Sequence, residues 1–187
     1  IRHATAYQEM VKRVQEGAIG DVVTAQLYYL ASGLPLKPID NMSKSEAMIR
    51  NQFHFRSLSG GILLDQGIHM LDVCSWALQR KPIMAMGSGG REQAWDSGVI
   101  RHESANEDRS QRAAGVFTSS LHDSNENKVK SFIGSINSGK FLNESASGAT
   151  STYTAILGRM AAEKGEPVSW EAMQNSNGRD VNIFYFK

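Results

Sequence analysis

The sequence has few of the features that mark disulfide-stabilised, membrane-spanning or nucleic-acid-binding proteins. One cysteine, Cys74, occurs among 187 residues, so an intramolecular disulfide is excluded. No apolar run is long enough to span a bilayer. The 20 Lys and Arg residues nearly balance the 19 Asp and Glu residues, so the net charge of +1 predicts no nucleic-acid or membrane partner. Cys74 lies in an apolar segment and is interpreted as a core residue. The cysteine content does not determine the cellular compartment of the protein.

The length and the distribution of polar residues predict one domain over residues 1–187. The start at Ile1–His3 does not resemble a signal peptide and lacks an initiator methionine, so we expect an excised piece of a longer protein. Residues 92–127 are rich in Ser, Asn, Asp, Glu and Arg, which predicts a loop or disordered insert. Residues 177–187 form an unassigned tail.

Apolar periodicity and capping residues predict mostly helices, with two strands. Gly17, Gly139 and Gly165 are placed as helix ends, and Ser43 with Glu46 forms a capping-box pattern. The predicted helices are Ala4–Glu16, Ser43–Arg50, Gly60–Leu78, Val129–Ile136, Ser147–Lys164 and Ser169–Gln174, and the predicted strands are Val22–Leu30 and Ile83–Met86.

Two carboxylates and one imidazole lie in the largely apolar helix predicted after Gly60. Asp65, His69 and Asp72 are spaced by four and then three residues, which places them on one helical face. A carboxylate one turn from an imidazole can fix its tautomer and raise its basicity, as a general acid/base requires. The same residues could instead satisfy one another in a partly buried network. A metal site would need a further ligand, and the spacing fits no strong zinc pattern, so no metal is predicted.

A glycine-rich stretch after the second predicted strand fails as a dinucleotide fingerprint. It begins Gly87, Ser88, Gly89, but Glu92 occupies the third glycine position. No apolar helix follows that could direct its amino terminus at a pyrophosphate. We therefore predict no cofactor-binding residues in this chain.

Three blocks of the sequence carry a family resemblance: RHATAYQEMVKRVQEGAIGDVV, MIRNQFHFRSLSGGILLDQGIHMLDVCSWAL and STYTAILGRMAAEKGEPVSW. Together they resemble the carboxyl-terminal domain of the Gfo/Idh/MocA family of NAD(P)-dependent oxidoreductases. The resemblance implies an α+β fold, with an open, largely antiparallel sheet packed against helices in two layers. Because family strands are not recognisable in 92–127, we expect this sheet to be truncated.

The family resemblance also implies that different domains of a larger enzyme bind the cofactor and the substrate. NAD or NADP would be bound by a Rossmann domain that is absent here, together with the lysine of a Glu-Lys-Pro motif. The substrate would be a sugar or polyol, and the sheet would mediate a homo-oligomer. The family's Asp-x3-His motif falls on Asp65 and His69, so His69 would be the acid/base and Asp65 would orient it, with Asp72 structural. Arg50, Asn51 and His54 precede the motif and are expected at the lip of the substrate pocket.

Three functions remain open. The first is the substrate-side domain of a sugar or polyol dehydrogenase, inactive without its Rossmann domain. The second is a non-catalytic binding or oligomerisation module derived from that family. A third reading, metal-dependent hydrolysis or isomerisation of a sugar, would use Asp65, His69 and another ligand.

Overall fold

The computed structural model describes residues 1–29, 36–89 and 121–176. Helices dominate these parts, as the periodicity predicts. The helices are α1 (Thr5–Gln15), α2 (Lys44–Arg50), α3 (Arg56–Ser59), α4 (Ile68–Leu78), α5 (Ser124–Ser138), α6 (Ser145–Lys164) and α7 (Trp170–Asn175), with a 3₁₀ turn at Gln52–His54, a π-helical turn at Leu63–Gly67 and strands β1 (Met84–Ala85) and β2 (Val168–Ser169).

The predicted α+β class is confirmed, with a sheet that is small and open. Strands β1 and β2 pair antiparallel, with Met84 opposite Ser169 and Ala85 opposite Val168. They are the only strands in the described parts of the chain. Within those same parts, no helix has both the length and the apolar character needed to cross a membrane.

The core forms where α6 packs against the sheet and α7. Along α6, Leu157, Met160 and Ala161 are buried, whereas Tyr153 is exposed. The buried cluster comprises Ile156, Leu157, Met160, Ala161, Val168, Trp170 and Met173, with Leu64 and Ala85 packed against it.

Local capping signals in the sequence correctly mark several helix ends. The Ser43 side chain accepts from the Glu46 backbone N–H while the Glu46 carboxylate accepts from the Ser43 backbone N–H, so α2 begins with a complete capping box. Gly139 and Gly165 adopt left-handed conformations at the ends of α5 and α6. Ser169 caps α7 as predicted.

The strand predicted at Val22–Leu30 is wrong over its described part. Residues 22–29 form no strand, and all of them are exposed. An isolated extended segment has no ladder to satisfy its backbone groups, so an alternating pattern is not sufficient to make a strand.

The polar and terminal segments are only partly covered by the structure. The predicted insert 92–127 lies outside the described residues up to 120, and α5 already begins at Ser124 within the remainder. The tail 177–187 also lies outside the described residues.

Candidate active site

A glycine turn and a π-helical turn lead into the helix that carries His69. Gly60 and Gly61 both have positive φ, of 75° and 91°, a conformation that glycine adopts without the penalty a Cβ imposes. The π turn Leu63–Gly67 follows and contains Asp65, and α4 then places His69 in its first turn. Single π turns occur frequently at functional sites. The predicted helix is therefore real, but it starts later and with a wider turn than the periodicity indicates.

Helix α6 contacts both the glycine turn and the π turn that precede α4. A Cβ on Gly158 would lie 3.0 Å from one methyl carbon of Leu63, and a Cβ on Gly67 would lie 2.8 Å from the other. The two glycines therefore make room for Leu63. The Arg159 Nη1 atom donates to the carbonyl oxygen of Gly60 at 3.1 Å. These contacts fix the turn that presents Asp65.

The predicted acid/base pair, Asp65 and His69, makes no hydrogen bond between its members. Asp65 is half-buried, and its Oδ2 atom accepts from Gln66 Nε2 at 2.8 Å. The Gln66 Oε1 atom in turn accepts from the Tyr29 hydroxyl. His69 is exposed, and its side chain makes no hydrogen bond within the described parts of the chain. The imidazole is thus open to a ligand from solvent.

Asp72 accepts hydrogen bonds from side chains of two distant segments. The Arg2 guanidinium donates from Nε to Oδ2 at 2.9 Å and from Nη2 to Oδ1 at 2.8 Å, in a bidentate arrangement. The Ser151 hydroxyl also donates to Oδ1. Asp72 therefore joins the amino-terminal segment to α4 and α6, and its oxygens are committed away from His69.

The three predicted pocket residues occupy different environments. Arg50 and His54 are exposed at the end of α2 and in the 3₁₀ turn. Asn51 is only 3% exposed. Its Oδ1 accepts from the Lys37 N–H at 2.8 Å, and its Nδ2 donates to the carbonyl oxygens of Lys37 and Ala47, both at 3.2 Å. The Asn51 amide is thus used in holding backbone, while Arg50 and His54 remain available to a ligand.

The remaining candidate side chains add no second reactive cluster. Burial raises the pKa of the Cys74 thiol, which keeps it protonated near neutral pH and fits its interpretation as a packing residue. His3 is half-buried, and its Nε2 atom lies 3.6 Å from Glu144 Oε2. No group of three or more His, Cys, Asp and Glu side chains within the described residues is arranged to hold a metal ion.

Two residues of the site were not singled out by sequence reasoning. Gln66 is adjacent to Asp65, but nothing in its identity shows that its amide turns toward that carboxylate. Tyr29 lies 37 positions away from Gln66 in the chain. Its only signal is the alternating pattern of the predicted strand, which does not indicate a contact with the π turn.

The fold and the site together define an α+β domain with an exposed histidine beside a half-buried carboxylate at the start of a buried helix. A family model described as the GFO/IDH/MocA C-terminal domain matches residues 7–135, which is more than half of the chain. The chain belongs to this family as a carboxyl-terminal domain, as its sequence resemblance predicts. The match includes Asp65 and His69 and ends before α6. No curated protein and no solved structure matches the chain.

Proposed function

We propose that this chain is the substrate-side domain of an NAD(P)-dependent oxidoreductase that acts on a sugar or polyol hydroxyl. The observation that carries the proposal is the exposed His69 in the first turn of α4, four residues after the half-buried Asp65. Family membership supports an oxidoreductase context for this pair. The sugar or polyol class rests on the family resemblance of the sequence.

His69 would exchange the proton of the substrate hydroxyl. In the oxidising direction, the hydroxyl proton passes to an unprotonated ring nitrogen of His69, and in the reducing direction it returns to the carbonyl oxygen. Asp65 would hold the other ring N–H and so fix the tautomer. Residues four apart on an α-helix have neighbouring Cβ atoms. The π turn that contains Asp65 is wider, so this bond would form by rotation of both side chains when substrate binds. Catalytic hydrogen bonds commonly tighten only when substrate binds.

The glycine stretch at residues 87–89 does not fit a dinucleotide. A Cβ on Gly87 or on Gly89 would lie 3.6 Å from the Ala162 Cβ, so this glycine stretch packs against α6. Pyrophosphate binding instead requires glycine backbone facing the ligand at a helix amino terminus. We therefore assign the nicotinamide cofactor to a separate domain and no residue of this chain to its binding.

The decisive experiment replaces His69 in a protein that joins this domain to a nucleotide-binding domain. We expect His69→Ala to lower kcat by about a hundredfold or more, because proton transfer loses its acceptor. The matched control is His122→Ala, which alters an exposed histidine outside the site and should leave kcat unchanged. Circular dichroism would verify that both variants fold.

Unchanged turnover in His69→Ala would favour the second candidate, a non-catalytic binding or oligomerisation module. One observation supports that alternative: α5 exposes an apolar face. Its members are Val129, Phe132, Ile133 and Ile136, which are between 47% and 59% exposed. The exposed Met84 on β1 is likewise compatible with the proposed homo-oligomer through the sheet, which sedimentation velocity would test.

A further inference from the structure

Two consecutive hydrogen bonds connect Asp65 to Tyr29, which lies outside the helix that contains Asp65. The Tyr29 hydroxyl donates to Gln66 Oε1, and Gln66 Nε2 donates to Asp65 Oδ2 at 2.8 Å. Gln66 is half-buried in the π turn, whereas Tyr29 belongs to the exposed extended segment 22–29. These two hydrogen bonds therefore link two parts of the sequence that no secondary structure joins.

The chemistry of the three groups determines which of them donates and which accepts in each hydrogen bond. An ionised carboxylate only accepts hydrogen bonds, so the Gln66 NH₂ group must face Asp65 and its carbonyl oxygen must face away. The Tyr29 hydroxyl can donate to that oxygen and so holds the amide in this orientation. A flipped amide would place its oxygen against the carboxylate and lose the bond to Asp65. Each member thus restricts the rotation of the next.

The two carboxylate oxygens of Asp65 differ in their hydrogen bonding. Oδ2 is occupied by Gln66, whereas Oδ1 accepts no hydrogen bond within the described parts of the chain. With Oδ2 fixed, rotation of the carboxylate about its last side-chain bond is restricted. The free Oδ1 is then the atom available to the imidazole of His69, one turn further along the helix.

We propose that Gln66 is a positioning residue that orients Asp65 for His69, and that Tyr29 orients Gln66 in turn. This inference rests on the proposed function, in which Asp65 acts through His69. Gln66 and Tyr29 need not touch the substrate. Their effect is on the geometry of proton transfer, and small displacements of a catalytic group are sufficient to slow a reaction.

The first test needs no catalytic activity and uses the full chain. Side-chain NMR would follow the Asp65 carboxyl carbon and the Gln66 amide in the wild type, in Tyr29→Phe and in Gln66→Met. Both variants preserve side-chain size while removing the hydrogen-bonding groups. We expect the Asp65 signal to move in both variants and the Gln66 signal to move in Tyr29→Phe. The control Gln174→Met alters an exposed glutamine on α7 and should move neither signal. An unmoved Asp65 signal in Gln66→Met overturns the proposal.

The second test separates positioning from substrate binding in the active protein. We expect Gln66→Met to lower kcat roughly tenfold with little change in KM, because the proton transfer and not the binding is impaired. Tyr29→Phe should lower kcat less, and the double variant should match Gln66→Met alone because both residues act through one chain. A raised KM with unchanged kcat, or additive losses in kcat, contradicts the positioning role.

The two proposals fail in different ways. If His69→Ala leaves turnover intact, the acid/base function is wrong, and the NMR test still decides whether Gln66 orients Asp65. If His69→Ala abolishes turnover while Gln66→Met and Tyr29→Phe leave kcat unchanged, the function stands and the positioning role is wrong.

Discussion

Asp65 and Asp72 show how two identical residues on one helix come to different uses. Asp65 retains an oxygen without a partner among the described residues, beside the exposed His69, whereas Asp72 binds Arg2 and Ser151. The partners of Asp72 lie 70 and 79 positions away in the sequence. Spacing predicted the shared helix but could not supply these partners, so only the structure distinguishes the two carboxylates.

Removal of the Asp72 carboxylate should lower the stability of the fold. We expect Asp72→Ala to reduce the free energy of unfolding by about 2–3 kcal/mol, because Arg2 and Ser151 would lose a charge-assisted partner in a half-buried position. Urea denaturation would measure the change. The control Asp40→Ala removes an exposed carboxylate and should alter the free energy by less than about 0.5 kcal/mol. Equal effects of the two substitutions would contradict the structural role.

At the scale of elements, the amino-terminal end of α1 is capped by a side chain that is distant in the sequence. Its N-cap residue, Ala4, offers no side-chain acceptor. Asp123, immediately before α5, accepts instead from the Thr5 backbone N–H at 3.3 Å and from the Thr5 hydroxyl. The Thr5 hydroxyl and the other donors around it hold the pKa of the Asp123 carboxyl below its usual range. Asp123 thus serves as a cap supplied from outside α1.

The lowered pKa of Asp123 predicts a pH-dependent contribution to stability. A carboxyl with a depressed folded-state pKa stabilises the fold above its unfolded pKa, and this contribution is lost as pH falls through the folded value. Asp123→Ala should therefore lower Tm near neutral pH. The difference from wild type should shrink as pH falls below the ordinary range of an Asp carboxyl.

Thermal melts followed by circular dichroism between about pH 7 and pH 3 would measure this convergence. Asp21→Ala, at an exposed position near the end of α1, is the control and should show no such trend. A constant difference in Tm for Asp123→Ala across this range would rule out the ionised cap.

The sequence predicted elements best where the determining contacts are local. The Ser43 capping box and the glycine stops at Gly139 and Gly165 depend on residues within one turn, and all three are confirmed. The apolar face of α5 is also visible in the sequence, but in the described structure it remains exposed. Burial depends on a partner elsewhere, which a periodic pattern does not contain. The π turn Leu63–Gly67 escaped prediction because its hydrogen bonding has no signature in residue type.

For the whole molecule, α6 organises both the core and the site. It contributes Leu157 and Met160 to the core, while Gly158 and Arg159 hold the glycine and π turns before α4. The motif was sufficient to select His69 and Asp65 as candidates. It could not predict the contacts from α6, because they arise from packing of segments about a hundred residues apart.

The same packing predicts how the isolated chain responds to cofactor. Because Gly87 and Gly89 contact α6, and Glu92 occupies the third glycine position, we expect no saturable binding of NAD or NADP. Isothermal titration calorimetry of the chain would measure this, with an intact nicotinamide-dependent dehydrogenase as positive control. Micromolar binding would show that residues of this chain form a nucleotide site.

The anchoring of Arg2 has a consequence for protein engineering. Its side chain lies over the Trp76 ring at 5.3 Å and binds Asp72, so the amino-terminal end is held against the middle of α4. Asp72 follows His69 by less than one helical turn, which is about 5 Å along the axis. A polypeptide fused ahead of Ile1 would therefore join the chain at a segment that is anchored to the helix carrying His69. Fusion at this end therefore attaches a second catalytic module beside α4 without altering the helix itself.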